Sequence, residues 1–133
     1  MMTAAEKKQL VLDTWEAFRC GDVKTAFANM TDDVTWWIPG LIAPIAGMKR
    51  GKPEIVGFLR WAASTFPSGF RSEVRGVFAD GDTVILELVN RSTTAAGRPY
   101  ENEYCFVFDL DGEKIHAVRE YVDTQKAVAI LEA

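Results

Sequence analysis

Glu120, His116, Tyr104 and Asn102 are the side chains of this sequence best suited to move a proton or hold an oxygen. A carboxylate facing an apolar interior has its charged form disfavoured, which prepares it as a general base or acid near neutral pH. A tyrosine in the same interior can polarise a carbonyl, and an asparagine amide can donate to the same oxygen. The alternation of a β-strand decides which of these side chains share a face. Along residues 114–122, His116, Val118, Glu120 and Val122 lie together, opposite Ile115, Ala117, Arg119 and Tyr121. Along residues 100–110, Asn102, Tyr104, Phe106 and Phe108 lie together. Along residues 83–93, Val84, Leu86, Leu88 and Asn90 do so. His116 is the single histidine, and two strand steps separate it from Glu120, roughly 13 Å. A direct hydrogen bond between them is not expected. The bland alternative is that Glu120 pairs with an arginine or the histidine and only organises the sheet.

Other chemistries lack their residues. There is no G-x-G-x-x-G, no G-x-x-x-x-G-K-[ST], no H-E-x-x-H and no G-x-S-x-G. One histidine rules out a histidine-rich zinc site within a chain, and no metal or other cofactor is expected. Cys20 and Cys105 make no disulfide framework and no C-x-x-C spacing. Both are read as reduced thiols.

The elements that must position these residues fall into two halves. Thr3-x-x-Glu6 is a capping box opening a helix with Leu10, Val11, Thr14, Trp15 and Phe18 on one stripe. Gly21 interrupts it, and Asp22 can cap a second, short helix. Val34–Ile38 reads as a strand stopped by Pro39-Gly40, with Trp36 and Trp37 on opposite faces. Residues 41–48 are apolar but broken by Pro44 and Gly47, and are expected to pack irregularly over something apolar, such as a pocket mouth. Lys49-Arg50-Gly51-Lys52 reads as a solvated loop. Pro53 opens a third helix with Ile55, Phe58, Leu59, Ala62 and Phe66 on its stripe, ended by Pro67. The period then changes from 3.6 to 2. Four strands follow over 70–79, 83–93, 100–110 and 114–122, turning at Asp80-Gly81 and Asp111-Gly112. Asp123 can cap a last helix.

Helices massed before a long antiparallel meander indicate an α+β fold. The strands mix apolar and polar residues on both faces, whereas a sheet with one wet face alternates cleanly. Both faces are therefore expected to be covered, the concave one by helices and the convex one by a partner subunit. With 133 residues, 48% hydrophobic and 26% charged, the chain suits one folded domain spanning 1–133. A formal charge of −4 and the lack of a basic stripe argue against a nucleic-acid partner. No apolar run reaches the length of a membrane span, and no signal peptide is visible. A cytoplasmic location and no membrane partner are expected.

The chain resembles the SnoaL-like branch of the nuclear transport factor 2-like superfamily. The likeness rests on the leading helical pair through Thr31-Asp32-Asp33-Val34, Trp36-Trp37-Ile38-Pro39-Gly40 and Arg50-Gly51-Lys52-Pro53-Glu54-Ile55. It continues through 111–115 and Arg119-Glu120-Tyr121-Val122-Asp123. The resemblance implies a cystatin-like, curved antiparallel sheet wrapped around N-terminal helices as an open cone, with a central pocket. It also implies a homodimer through the outer sheet face. Members include ketosteroid isomerases, polyketide cyclases, limonene-epoxide hydrolases and dehydratases. In the epoxide hydrolases a catalytic carboxylate follows an arginine in the closing strand, a place that matches Glu120 after Arg119. Their arginine and second aspartate match Leu88 and Asn90, and their tyrosine and asparagine match Thr35 and Trp37, so most of the water-activating set is missing. The expectation is a cofactor-free isomerase, cyclase or lyase acting on a small hydrophobic or polycyclic molecule. In it Glu120 moves the proton, with Tyr104 or His116 as the acid partner and Tyr104 or Asn102 holding an oxygen. Trp37, Phe58, Leu88, Asn90 and Val118 join Asn102 in lining the ligand site. The alternative is a non-catalytic small-ligand-binding or dimeric structural module.

Overall fold

The computed structural model describes residues 1–132. Helix α1 (Ala4–Arg19) is opened by the reciprocal Thr3–Glu6 capping box, with Glu6 N donating to Thr3 Oγ1 at 3.1 Å and Thr3 N to Glu6 Oε1 at 2.9 Å. Helix α2 (Val23–Ala28) starts at Asp22, whose carboxylate accepts from Thr25 N. Asn29 Nδ2 donates to the buried Thr14 hydroxyl at 2.9 Å, which locks the two helices together. Strand β1 (Met30–Ile38) follows, then the short strand β2 (Gly47–Arg50) and helix α3 (Gly51–Thr65). The meander is β3 (Arg71–Asp80), β4 (Thr83–Thr93), β5 (Pro99–Asp111) and β6 (Lys114–Val122). Helix α4 (Thr124–Leu131) closes the fold, its first turn capped by Asp123 accepting from Lys126 N at 3.1 Å.

The six strands form one curved, unclosed sheet in the order β2-β1-β6-β5-β4-β3. All neighbours are antiparallel except β1 and β6, which run parallel. The curved, mainly antiparallel sheet packed against N-terminal helices is the α+β fold expected, with one parallel pair within it. The chain leaves β1 through β2 and α3 and comes back to its flank only after three more strands, so no hairpin imposes an antiparallel match. Helices pack on the concave side, where Val11, Met30, Val34, Trp36, Leu86, Phe106, Phe108 and Val118 form the core.

Two local features depart from the sequence expectations. Residues 47–50 form strand β2 rather than a loop, paired so that Lys49 stands opposite Trp36 and Met48 opposite Trp37. Lys49 therefore faces inward and is buried. The second feature lies between β5 and β6. The register runs Asp109 with Ala117 but Leu110 with Ile115, which leaves His116 as an extra residue. This bulge reverses the alternation below Ala117. Ile115 turns into the core and His116 turns out to solvent. Among the described residues, no helix is long and apolar enough to cross a membrane.

Candidate functional site

A cavity of about 810 Å³ opens between the concave sheet face, α1, α3 and α4. Its walls are mainly aromatic. Trp15 and Phe18 come from α1, Phe58 and Trp61 from α3, and Trp36, Tyr104 and Phe106 from the sheet. The arrangement follows from amphipathic helices whose stripes meet a sheet too curved to touch them everywhere. Ile42 and Ile45, from the segment between β1 and β2, complete the wall.

Glu120 lies inside this cavity and is only 7% exposed. The alternation of β6 above the bulge carries it inward, between Val118 and Val122. Trp36 Nε1 donates to Glu120 Oε1 at 3.0 Å. No other group among the described residues donates to this carboxylate, so Oε2 is open to the cavity. Burial pushes the Glu120 carboxyl up to about 7, against the opposing pull of the Trp36 N–H and the Lys49 charge. Both protonation states are then populated at neutral pH.

A hydroxyl pair faces it from β5. Tyr100 and Tyr104 share a hydrogen bond of 2.7 Å between their oxygens. Asn102 Nδ2 donates to the Tyr100 hydroxyl at 3.0 Å and to the Asp123 carbonyl at 3.0 Å. With Asn102 donating to Tyr100, Tyr100 can donate to Tyr104, and the Tyr104 proton is then available to a ligand oxygen. Burial raises both phenols above their ordinary range, Tyr104 the more strongly. They remain protonated donors at neutral pH. Phe106 is the strand partner of Glu120. Tyr104 lies two residues from Phe106, so it is a diagonal neighbour of the carboxylate, roughly 7–8 Å away at the backbone.

Asn90 completes the polar set. Its Oδ1 accepts from Ser72 Oγ at 2.6 Å, and that hydroxyl accepts from Trp15 Nε1 at 3.0 Å. Its Nδ2 is fully buried and has no hydrogen-bond partner among the described residues. Short of a full hydrogen bond, the Asn90 amide is directed at the Tyr104 hydroxyl and opposes the rise that burial gives that phenol. A buried donor without a partner is costly unless a ligand or solvent meets it.

Glu120, Tyr104, Asn90 and Phe58 thus line one cavity, and the other candidates do not. His116 is exposed beyond the bulge. Trp37 points to the convex face at 37% exposure, because β1 alternation gives the inward place to Trp36. Leu88 and Val118 are core residues packed behind the wall. Asn102 is buried behind the tyrosines and orients them. Sequence reasoning missed Tyr100 and Lys49 and gave Trp36 no role. Tyr100 was legible, since it shares its strand parity with Asn102 and Tyr104. No cluster of side chains able to hold a metal ion occurs among the described residues.

The sequence matches the SnoaL-like domain family over residues 11–118. No curated protein matches the chain. Among solved structures, it is similar to a nuclear transport factor 2-like protein of unknown function from Burkholderia pseudomallei. The identity is 22%, covering 99% of this chain and 100% of that one, with a TM-score of 0.89. It is also similar to TerC, co-crystallised with polyporic acid, at 21% identity, 96% and 99% coverage and a TM-score of 0.87. An LEH-like epoxide hydrolase from M. tuberculosis aligns at 22% identity, 97% and 92% coverage and a TM-score of 0.77. These three likenesses show the fold. The family match, which spans most of the sequence, places the chain in the SnoaL-like family.

Proposed function

We propose that this SnoaL-like chain binds a small hydrophobic molecule in its cavity and moves a proton on it, as a cofactor-free isomerase or cyclase. One observation carries the reading: a buried carboxylate is held at one oxygen by Trp36 and is open to the cavity at the other, across from a tyrosine pair. Glu120 Oε2 takes a proton from a carbon next to a substrate carbonyl. The electron pair of the broken C–H bond passes to the carbonyl oxygen as an enolate. Tyr104 O–H, oriented by Tyr100 and Asn102, donates to that oxygen, and Asn90 Nδ2 supplies a further donor within the same wall. In an isomerisation Glu120 then returns the proton to a different carbon. In a cyclisation the enolate carbon attacks a second carbonyl of the same molecule, whose oxygen takes up the proton.

The aromatic walls suit a flat, ringed substrate. That TerC, a structure of similar fold, was co-crystallised with polyporic acid is in keeping with this reading. Epoxide hydrolysis is not proposed, since Leu88 and Asn90 stand where the water-activating arginine and aspartate are required. The same reading includes a homodimer through the convex face, where Trp37, Met48, Phe78 and Tyr121 stand exposed.

The test is a panel of β,γ-unsaturated cyclic ketones, from one ring to four, followed by the absorbance of the conjugated product. Turnover that Glu120→Gln lowers by about 10²–10⁴-fold is the expected result. Ligands that bind without turnover, equally in wild type and variant, would replace the enzyme by a non-catalytic binding module.

A further inference from the structure

Lys49 is unexplained by the reading above. Lysine is among the residues least often buried, yet Lys49 is 8% exposed and no carboxylate among the described residues pairs directly with it. Its ammonium donates instead to the carbonyls of Ile45 and Gly47, and stands 4.9 Å from the centre of the Phe58 ring. Ile45 and Phe58 both line the cavity. Lys49 also sits beside Trp36 in the β1–β2 ladder, and Trp36 is the residue that holds Glu120. One cation thus ties together the mouth segment, a wall of α3 and the strand that carries the donor to the carboxylate.

We propose that Lys49 is a positioning residue of this site: its ammonium fixes residues 42–47 over the cavity and stabilises the ionised form of Glu120 within it. The inference rests on Glu120 being the proton carrier. A carboxylate buried among aromatic side chains and held by a single indole N–H would stay protonated, and a protonated carboxyl is no base. A cation behind Trp36 offsets part of that cost without an ion pair that would occupy Oε2. It remains balanced when the proton moves, because the negative charge then passes to the enolate in the same cavity. The electrostatics agree in both directions. Burial lowers the Lys49 ammonium and the Glu120 charge opposes that, while Lys49 opposes the rise of Glu120. The other ionisable groups facing the cavity are Arg19 and Cys20 at the end of α1, Arg60 on α3, and Tyr100 and Tyr104 on β5. Among the described residues, Lys49 is the one whose charge bears on Glu120.

The test is a pH titration of the Glu120 carboxyl by ¹³C NMR on glutamate-labelled protein, with the resonance assigned by its loss in Glu120→Gln. Lys49→Met should move the midpoint to higher pH by about half a unit or more, a roughly threefold change in the ratio of ionised to neutral carboxyl. Lys49→Arg should restore the wild-type midpoint. Lys49→Met should also speed hydrogen exchange at Ala46 N, which bonds to Ile42 O inside the fixed segment. Faster exchange at Ala46 with an unmoved midpoint would reduce Lys49 to a clamp and overturn the proposal. If Lys49→Met does not fold, the labelled Lys49 Cε of the wild type decides. It should shift at the Glu120 midpoint and lose that inflection in Glu120→Gln, and its absence in the wild type would equally overturn the proposal. None of these readings needs turnover. A protein that titrates as stated but transfers no proton would refute the proposed reaction and leave the role of Lys49 intact.

Discussion

At the scale of the residue, burying Glu120 costs the fold stability as its carboxyl ionises. Its folded carboxyl titrates at about 7 against an ordinary value of 4.5. The folded state therefore holds the proton more tightly than the unfolded chain does between those values. The stabilisation is fully present below pH 4.5 and is lost as pH rises through about 7. Glu120→Gln keeps the acceptor for Trp36 and removes the charge. It should be more stable than wild type at pH 8, by about 3 kcal/mol at most, and nearly equal to it at pH 4. Urea unfolding at the two pH values checks this. A constant difference would mean that the wild-type carboxyl is not buried as described. Trp36→Phe removes the only hydrogen-bond donor to Glu120 among the described residues. The carboxyl should then titrate at higher pH, and the fold should lose on the order of 1 kcal/mol for the missing bond. Glu120 was legible in the sequence because its strand alternates regularly around it. Lys49 was not, because four residues between a broken apolar run and a helix start carry too little pattern to declare a strand.

At the scale of the element, the regular pieces followed their local signals. The Thr3, Asp22 and Asp123 caps all start helices, since a side-chain acceptor for a free N–H is a short-range requirement written in a few residues. Asp123→Ala should cost about 1 kcal/mol and raise hydrogen exchange chiefly in α4. Because α4 contributes Thr124, Ala127 and Leu131 to the cavity wall, ligand affinity should fall with it. Exchange that rises evenly over the whole molecule would argue against a local cap. The bulge at His116 is the opposite case. Alternation alone puts His116 and Glu120 on one face, but the parity of a strand holds only while its register does. The register is set jointly by Asp109, Leu110, Ile115 and Ala117 on two strands. That relation is not local, so the sequence places the histidine wrongly while placing Glu120 correctly. Trp37 fails differently: two adjacent tryptophans must face opposite sides, and composition does not say which is inside.

At the scale of the whole molecule, the order of elements was enough to identify an α+β fold, because helices preceding a meander leave few ways to cover the sheet; the family came from the resemblance of motifs such as Arg119-Glu120-Tyr121-Val122-Asp123. The parallel contact of β1 with β6 depends on how distant segments meet and has no local signature. The convex face remains partly apolar, with Trp37 beside Met48 in the ladder, Tyr121 exposed on the neighbouring β6 and Phe78 exposed on the far edge strand β3. Under the dimer reading, sedimentation should give twice the chain mass at micromolar concentration. Trp37→Glu should shift it to the monomer without changing the titration of Glu120. A wild-type monomer at the same concentration would remove the dimer from the account.

If Glu120 moves a proton on a molecule held in the cavity, the carbon that loses it exchanges its hydrogen with solvent. The most direct measurement is incubation of the ketone panel in deuterated water, with α-deuterium incorporation read by mass spectrometry in wild type and in Glu120→Gln. Incorporation by the wild type that falls at least about 100-fold in the variant is the predicted result. Incorporation unchanged by the substitution, or none above buffer for ketones that demonstrably bind, would contradict it.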